Sequence, residues 1–183
     1  MKSQWRLYLV IGLIVLPGCG RVKEWMQESF NQGKEHHSTK KTVQNYIRSL
    51  NIYDQFDTVG LFDALWLSDE VRILYTQTYA AMHGRGDEVK KTFLRRQLKA
   101  NDYFVTFYVL STDTNPLNLQ PAPWVLHLKV NGKNYQPQTV KTVELLPEYQ
   151  YFFGKTLTKH KRPYEVRFDR KDPDGNDILS GAK

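Results

Sequence analysis

The chain has 183 residues, with 26 lysines and arginines against 19 acidic residues, a formal charge of +7 and a single cysteine. That length suits one domain of ordinary size with its own hydrophobic core, and a second domain would be cramped. One cysteine excludes an intramolecular disulfide, so stability must come from packing. No Gly-x-Ser-x-Gly elbow, His-Glu-x-x-His helix or glycine-rich phosphate loop occurs, which removes the common hydrolase, zinc-protease and nucleotide-binding signatures.

Lys2 and Arg6 open the chain, and residues 7–16 follow as an apolar run broken only by Gly12. A bilayer crossing takes about 20 such residues, so the segment reads as an export signal rather than a membrane helix. It ends in Leu16-Pro17-Gly18-Cys19, which resembles the lipobox of bacterial lipoproteins: an aliphatic residue, a variable one, a small one and the cysteine. Pro17 stands where a small or β-branched residue is usual.

The resemblance implies cleavage between Gly18 and Cys19, diacylglycerol on the Cys19 thiol, and acylation of the new amino group. Two or three acyl chains, at roughly 0.8 kcal/mol per buried methylene, would hold the protein on its membrane. Modification would also leave no thiol for catalysis. Gly20 follows the cysteine, where aspartate retains enterobacterial lipoproteins at the inner membrane, so the expected address is the outer membrane facing the periplasm. Loss of Lys2 and Arg6 lowers the charge from +7 to +5. That mild excess suits anionic headgroups or an acidic partner, and nucleic acid is not an expected partner outside the cytoplasm.

Residues 19–41 read as a lipidated tether. Val22, Trp25, Met26 and Phe30 share one helical face, so a short amphipathic helix there can lie in the membrane interface, serve a partner as a handle, or dock on its own domain. Residues 33–41 are polar and without apolar period, a linker. Its adjacent His36 and His37 lack metal-ligand spacing, and no metal or other cofactor is expected.

The globular part, 42–183, is expected to begin with a helix over 42–50, where Val43, Tyr46, Ile47 and Leu50 repeat at helical spacing. Residues 52–67 alternate as one long strand with Gly60 at a bulge or bend, a helix being the alternative period. Ser68 reads as an N-cap, followed by Asp69 and Glu70 and then by Val71, Leu74, Tyr75, Thr78, Tyr79 and Met82 on one face, with Gly84 as the stop. A second helix runs from Asp87 to about Ala100, with Val89, Phe93, Leu94 and Leu98 inward and Lys90, Lys91, Arg95, Arg96 and Lys99 outward.

Strands are expected at 103–110, 124–130, 134–140, 142–146, 149–153 and 164–168, with Asn131-Gly132 as a tight hairpin turn. Many short strands at spacings near ten residues point to an immunoglobulin-like or transthyretin-like β-sandwich. Its helical insertion, an αα-hairpin over 68–100, would lie between the first and second strands, giving a mainly β, α+β fold. At the level of architecture only, a lipidated sandwich with a helical insertion is similar to the small lipoproteins of type VI secretion machines.

Asp172-Pro173-Asp174-Gly175-Asn176-Asp177 lacks the alternate ligands and the glutamate of an EF-hand and reads as a turn. Asp54, Asp57 and Asp63 could act as acid and base only by converging. The candidate partner-binding residues are Lys155, Lys159, His160, Lys161 and Arg162, on the expected loop between the last two strands, with Tyr151, Phe152 and Phe153 just before it. Two functions follow: a noncatalytic envelope scaffold or assembly subunit working by protein contact, or a binding module for anionic cell-wall or outer-membrane glycans. An envelope hydrolase is the third.

Overall fold

The computed structural model describes residues 43–54, 57–112, 116–118 and 124–181. The export signal, Cys19, the amphipathic segment 22–30, the linker and the histidine pair lie outside the described residues.

The first element is a hairpin of β1 (Ile47–Asp54) and β2 (Asp57–Trp66), antiparallel, with Asp54 opposite Asp57. It corrects two expectations. Of the helix over 42–50 only Val43 and Gln44 are helical among the described residues, and Ile47 onward is strand. Val43, Tyr46 and Ile47 do meet the core, but Leu50, the fourth residue of the supposed helical face, is 57% exposed. A helix this short is marginal alone, and pairing with β2 overrides the local period. The strand over 52–67 is likewise interrupted, because the chain reverses between Asp54 and Asp57.

The irregularity expected at Gly60 is present. Ile52 pairs with Gly60 while Tyr53 pairs with Thr58, so Val59 is the extra residue of a bulge. A Cβ on Gly60 would stand 2.7 Å from Cε2 of Phe62 and 3.0 Å from Cζ2 of Trp124, whose rings meet edge to face. Only glycine leaves room for them.

Ser68 caps α1 (Asp69–Met82), its Oγ accepting from the Val71 amide at 3.4 Å. The left-handed Gly84 follows, at φ +59°, and α2 (Asp87–Asn101) completes the helical hairpin. Lys91, Arg95, Arg96 and Lys99 are solvated as expected, whereas Val89 is exposed rather than inward. The hairpin lies between β2 and β3 rather than between the first and second strands, because β1 is a strand where a helix was expected.

Beyond α2 the elements are β3 (Phe104–Thr112), β4 (Leu128–Val130), β5 (Lys133–Tyr135), β6 (Thr139–Thr142), α3 (Pro147–Phe153) and β7 (Lys161–Asp169). Asn131 at φ 50° and Gly132 at φ 81° make the turn between β4 and β5. The strand over 124–130 shrinks to its last three residues, and that over 134–140 is divided around Pro137, which has no N–H to give a ladder. The strands over 142–146 and 149–153 are corrections. Thr142 only closes β6, and Tyr149, Phe152 and Phe153 sit at i, i+3 and i+4 of a helix. Pro147 opens that helix, and Gly154 at φ +54° ends it.

The fold is mixed α+β. Five antiparallel strands form one sheet in the order β1-β2-β3-β7-β6, and β4-β5 form a separate ribbon. Along β3 and β7 the side chains alternate between two cores. Val105, Val109, Tyr164, Val166 and Phe168 pack with Leu117, Ile178 and, from the ribbon and the residues before it, Trp124, Leu126, Leu128 and Tyr135. On the opposite face Leu65 and Leu110 pack with Val71 and Tyr75 of α1 and with Tyr149, Phe152 and Phe153 of α3.

Ser68 is buried, so its cap is shielded from water. Ser68→Ala is expected to lower stability by about 1 kcal/mol in urea unfolding with no change in far-ultraviolet dichroism.

Candidate functional site

The basic and aromatic segment is not one loop. Phe152 and Phe153 are 0% and 1% exposed in the helix-side core, and Tyr151 is half-buried against it. Composition favours a strand leading into a loop for the aromatic half, but helical spacing turns it inward. Lys155 is exposed on a 3-10 turn (Gly154–Thr156), and Lys159 and His160 are exposed just before β7. Lys161 and Arg162 begin β7 rather than belonging to a loop, and Arg162 is exposed.

Lys161 has a structural task. Its side chain is only 14% exposed, and its ammonium pairs with Oδ2 of Asp63, a residue 3% exposed in β2. The other oxygen, Oδ1, accepts from Ser49 Oγ at 2.5 Å. Asp63 is therefore a paired core carboxylate, and the side chains of Asp54 and Asp57 lie outside the described residues. The acidic segment at 172–177 forms the expected turn. Oδ1 of Asp172 accepts from the amides of Asp174 and Asn176 at 3.1 and 2.8 Å, and Gly175 has φ +82°. Asp177 pairs with Arg170 at 2.7 Å, and that hydrogen bond holds its carboxyl below the usual value.

A cleft of about 310 Å3 between the helical hairpin, α3 and the sheet was not anticipated. Arg72 of α1, Gln97 of α2, Thr106 and Tyr108 of β3, Tyr149 of α3, and Glu165 and Arg167 of β7 are among its lining residues, with Tyr75. Arg72 is 6% exposed. Its Nε donates to Asn101 Oδ1 at 2.6 Å and its Nη1 to Gln97 Oε1 at 2.9 Å, both neutral amides. Asn101 in turn donates to the Leu67 carbonyl at 3.1 Å and to Asp69 Oδ1 at 2.6 Å, so the nearest acid reaches Arg72 only through an amide. Glu165, by contrast, is paired twice: its Oε1 lies 3.0 Å from both Lys141 Nζ and Arg167 Nε.

The aromatic wall is ordered by its own contacts. Tyr75 stacks on Tyr149 at 4.4 Å between centroids, and Tyr108 meets Tyr149 edge-on at 4.8 Å. Burial pushes the Tyr149 phenol well above its ordinary value and raises Tyr75 and Tyr108 as well, with nearby Glu148 adding to Tyr75 and Glu165 to Tyr108. Burial lowers Arg72, against the pull of Tyr149, Tyr108 and Asp69. The sequence held a signal for this site: Arg72 is three residues before Tyr75 and four before Thr76, on the flank of an otherwise apolar helical face.

No family model, curated protein sequence or solved structure matches the chain.

Two outcomes follow from these contacts. Lys161→Met leaves Asp63 as a buried carboxylate without its cation, and urea unfolding is expected to register a loss of about 3–5 kcal/mol; Asp63→Leu added to it should restore most of that loss. Above pH 10 the unfolded chain ionises all its phenols, while Tyr75, Tyr108 and Tyr149 resist ionisation in the fold. Their stabilisation is complete below the unfolded phenol value and declines as pH rises above it through the raised folded values. Absorbance at 295 nm should show these phenols ionising last, together with loss of tertiary dichroism.

Proposed function

We propose that this chain is a lipid-anchored envelope protein that acts by protein contact, as a noncatalytic scaffold or assembly subunit. One observation carries the reading. Lys155, Lys159, His160 and Arg162 are exposed on a base made rigid by the buried Phe152 and Phe153 and by the Lys161–Asp63 ion pair. Three exposed cations and a neighbouring imidazole in one short segment suit steering and docking of an acidic protein face. A glycan module needs aromatic faces open to stack on sugar rings. Here Phe152 and Phe153 are in the core, which favours the protein partner over the anionic glycan.

The anchor in this reading is Cys19, after removal of residues 1–18, with 19–41 as tether and 42–183 as a single domain at the outer membrane facing the periplasm. The five-stranded sheet and the β4-β5 ribbon enclose a common core around Val105, Tyr164 and Leu128, and this supports an immunoglobulin-like or transthyretin-like sandwich as the finer description.

The test is copurification of the full chain from solubilised membranes. The natural chain is expected to bring down a stoichiometric envelope protein. Lys155→Glu, Lys159→Glu and Arg162→Glu together should slow its association at least about tenfold at low salt without altering the fold. Retention on isolated peptidoglycan with no protein partner would overturn the contact reading. Labelling with a clickable palmitate analogue checks the anchor: Cys19→Ser should be unlabelled and released from membranes, and a labelled, membrane-bound variant would refute lipidation at that residue.

A further inference from the structure

We propose that the cleft between the helical hairpin and the sheet binds the oxyanion of a small carboxylate- or phosphate-bearing ligand. Arg72 would be its charge partner, and the hydroxyls of Tyr75, Tyr108 and Tyr149 its neutral donors. The inference stands apart from the contact reading, since none of its residues lies in 151–162.

The first observation is a buried cation with no ion pair. Among the described residues no carboxylate lies within 4 Å of the Arg72 guanidinium, although the residue is 6% exposed. Burying a charge without a counterion beside it is costly. Here the carboxylates are engaged elsewhere. Asp69 is held by Asn101, and Glu165 lies between Lys141 and Arg167. Of the two cations that line the cleft, Arg167 pairs with Glu165, which leaves Arg72 as the one without a carboxylate of its own.

The second observation is a set of unused donors at the same place. Nε and Nη1 of Arg72 are bonded to amides, while Nη2 has no hydrogen-bond partner among the described residues. Neither do the hydroxyls of Tyr75 and Tyr149, on residues 2% and 3% exposed, nor that of Tyr108. Arg72 and the three phenols line one cleft, where a ligand rich in acceptors would meet these donors together. Guanidinium beside neutral hydroxyls matches carboxylate and phosphate oxygens. The raised phenols remain protonated, and so remain donors, through the neutral range.

Size and lining narrow the class. About 310 Å3 is at the small end of ligand pockets, enough for a compact organic acid or phosphate ester. Tyr103 and Leu146, 58% and 51% exposed, stand among the lining residues and offer apolar surface to the rest of the ligand.

The test titrates the full chain in detergent with three probes: inorganic phosphate, benzoate, and phosphatidylglycerol vesicles set against phosphatidylcholine vesicles. The readout is the Arg72 Nε–H resonance, which should move saturably. Movement with benzoate or phosphate assigns a free anion, and movement with phosphatidylglycerol alone assigns a lipid headgroup; either supports the site. Arg72→Lys keeps the charge but loses the forked donor and should weaken binding at least about tenfold. Tyr108→Phe removes one hydroxyl from a half-buried residue with little threat to folding and should weaken it about threefold. No saturable shift with any probe, or unchanged affinity in Tyr108→Phe, overturns the proposal.

Discussion

Everything in this fold depends on the pairing of β3 with β7, nine residues in continuous antiparallel register at the centre of a sheet covered on both faces. A sheet with two buried faces cannot alternate simply between apolar and polar, because every side chain must find either an apolar neighbour or a bonded partner. The two faces meet that demand differently. Toward the ribbon the strands present Val105, Val109, Val166 and Phe168, a largely apolar surface. Toward the helices they present Asp63, Thr106, Glu165 and Arg167 among the apolar residues, and these need partners from α1, α2 or neighbouring strands.

That difference decided what the sequence could reveal. Both helices of the hairpin were legible because the cap at Ser68, the acids at Asp69 and Glu70, and the stop at Gly84 are local signals acting within one or two turns. The turn at Asn131-Gly132 was legible for the same reason: positive φ at two successive residues is a demand that few side chains meet. The segment at 42–50 was not, because Val43, Tyr46 and Ile47 satisfy both a helix and a strand entering a core, and only the distant register with β2 distinguishes them. Residues 149–153 misled through composition. Aromatic residues favour strands on average, yet Pro147 before them and Gly154 after them frame a helix whose three buried rings sit at helical spacing.

The candidate site suffered from the same limit. A basic cluster in sequence is a statement about neighbours along the chain, and the fold separates those neighbours by burial. Lys161 and Arg162 are adjacent, but one points its charge at Asp63 inside the sheet and the other lies at the surface. Conversely, Arg72, Tyr108 and Tyr149 are far apart in sequence and meet only because α1, β3 and α3 pack on one face of the sheet. No spacing rule reaches across those separations. The only sequence trace was an arginine on the flank of an apolar helical face.

The buried charges on the helix side show how the fold handles such groups and where it departs from its own pattern. Asp63 is matched by Lys161, Glu165 by Lys141 and Arg167, and Glu148, 2% exposed, lies 3.1 Å from Nε2 of His83. In each case an acid meets a basic side chain directly, as desolvation requires. Arg72 breaks the sequence of pairs: it meets amides, with Asp69 one residue removed. Had the site been shaped for stability alone, an apolar residue beside Tyr75 and Tyr149 would have packed there without desolvating a charge. A guanidinium held there by amides, in a cleft it shares with three phenols, is the arrangement that the proposed anionic ligand would complete.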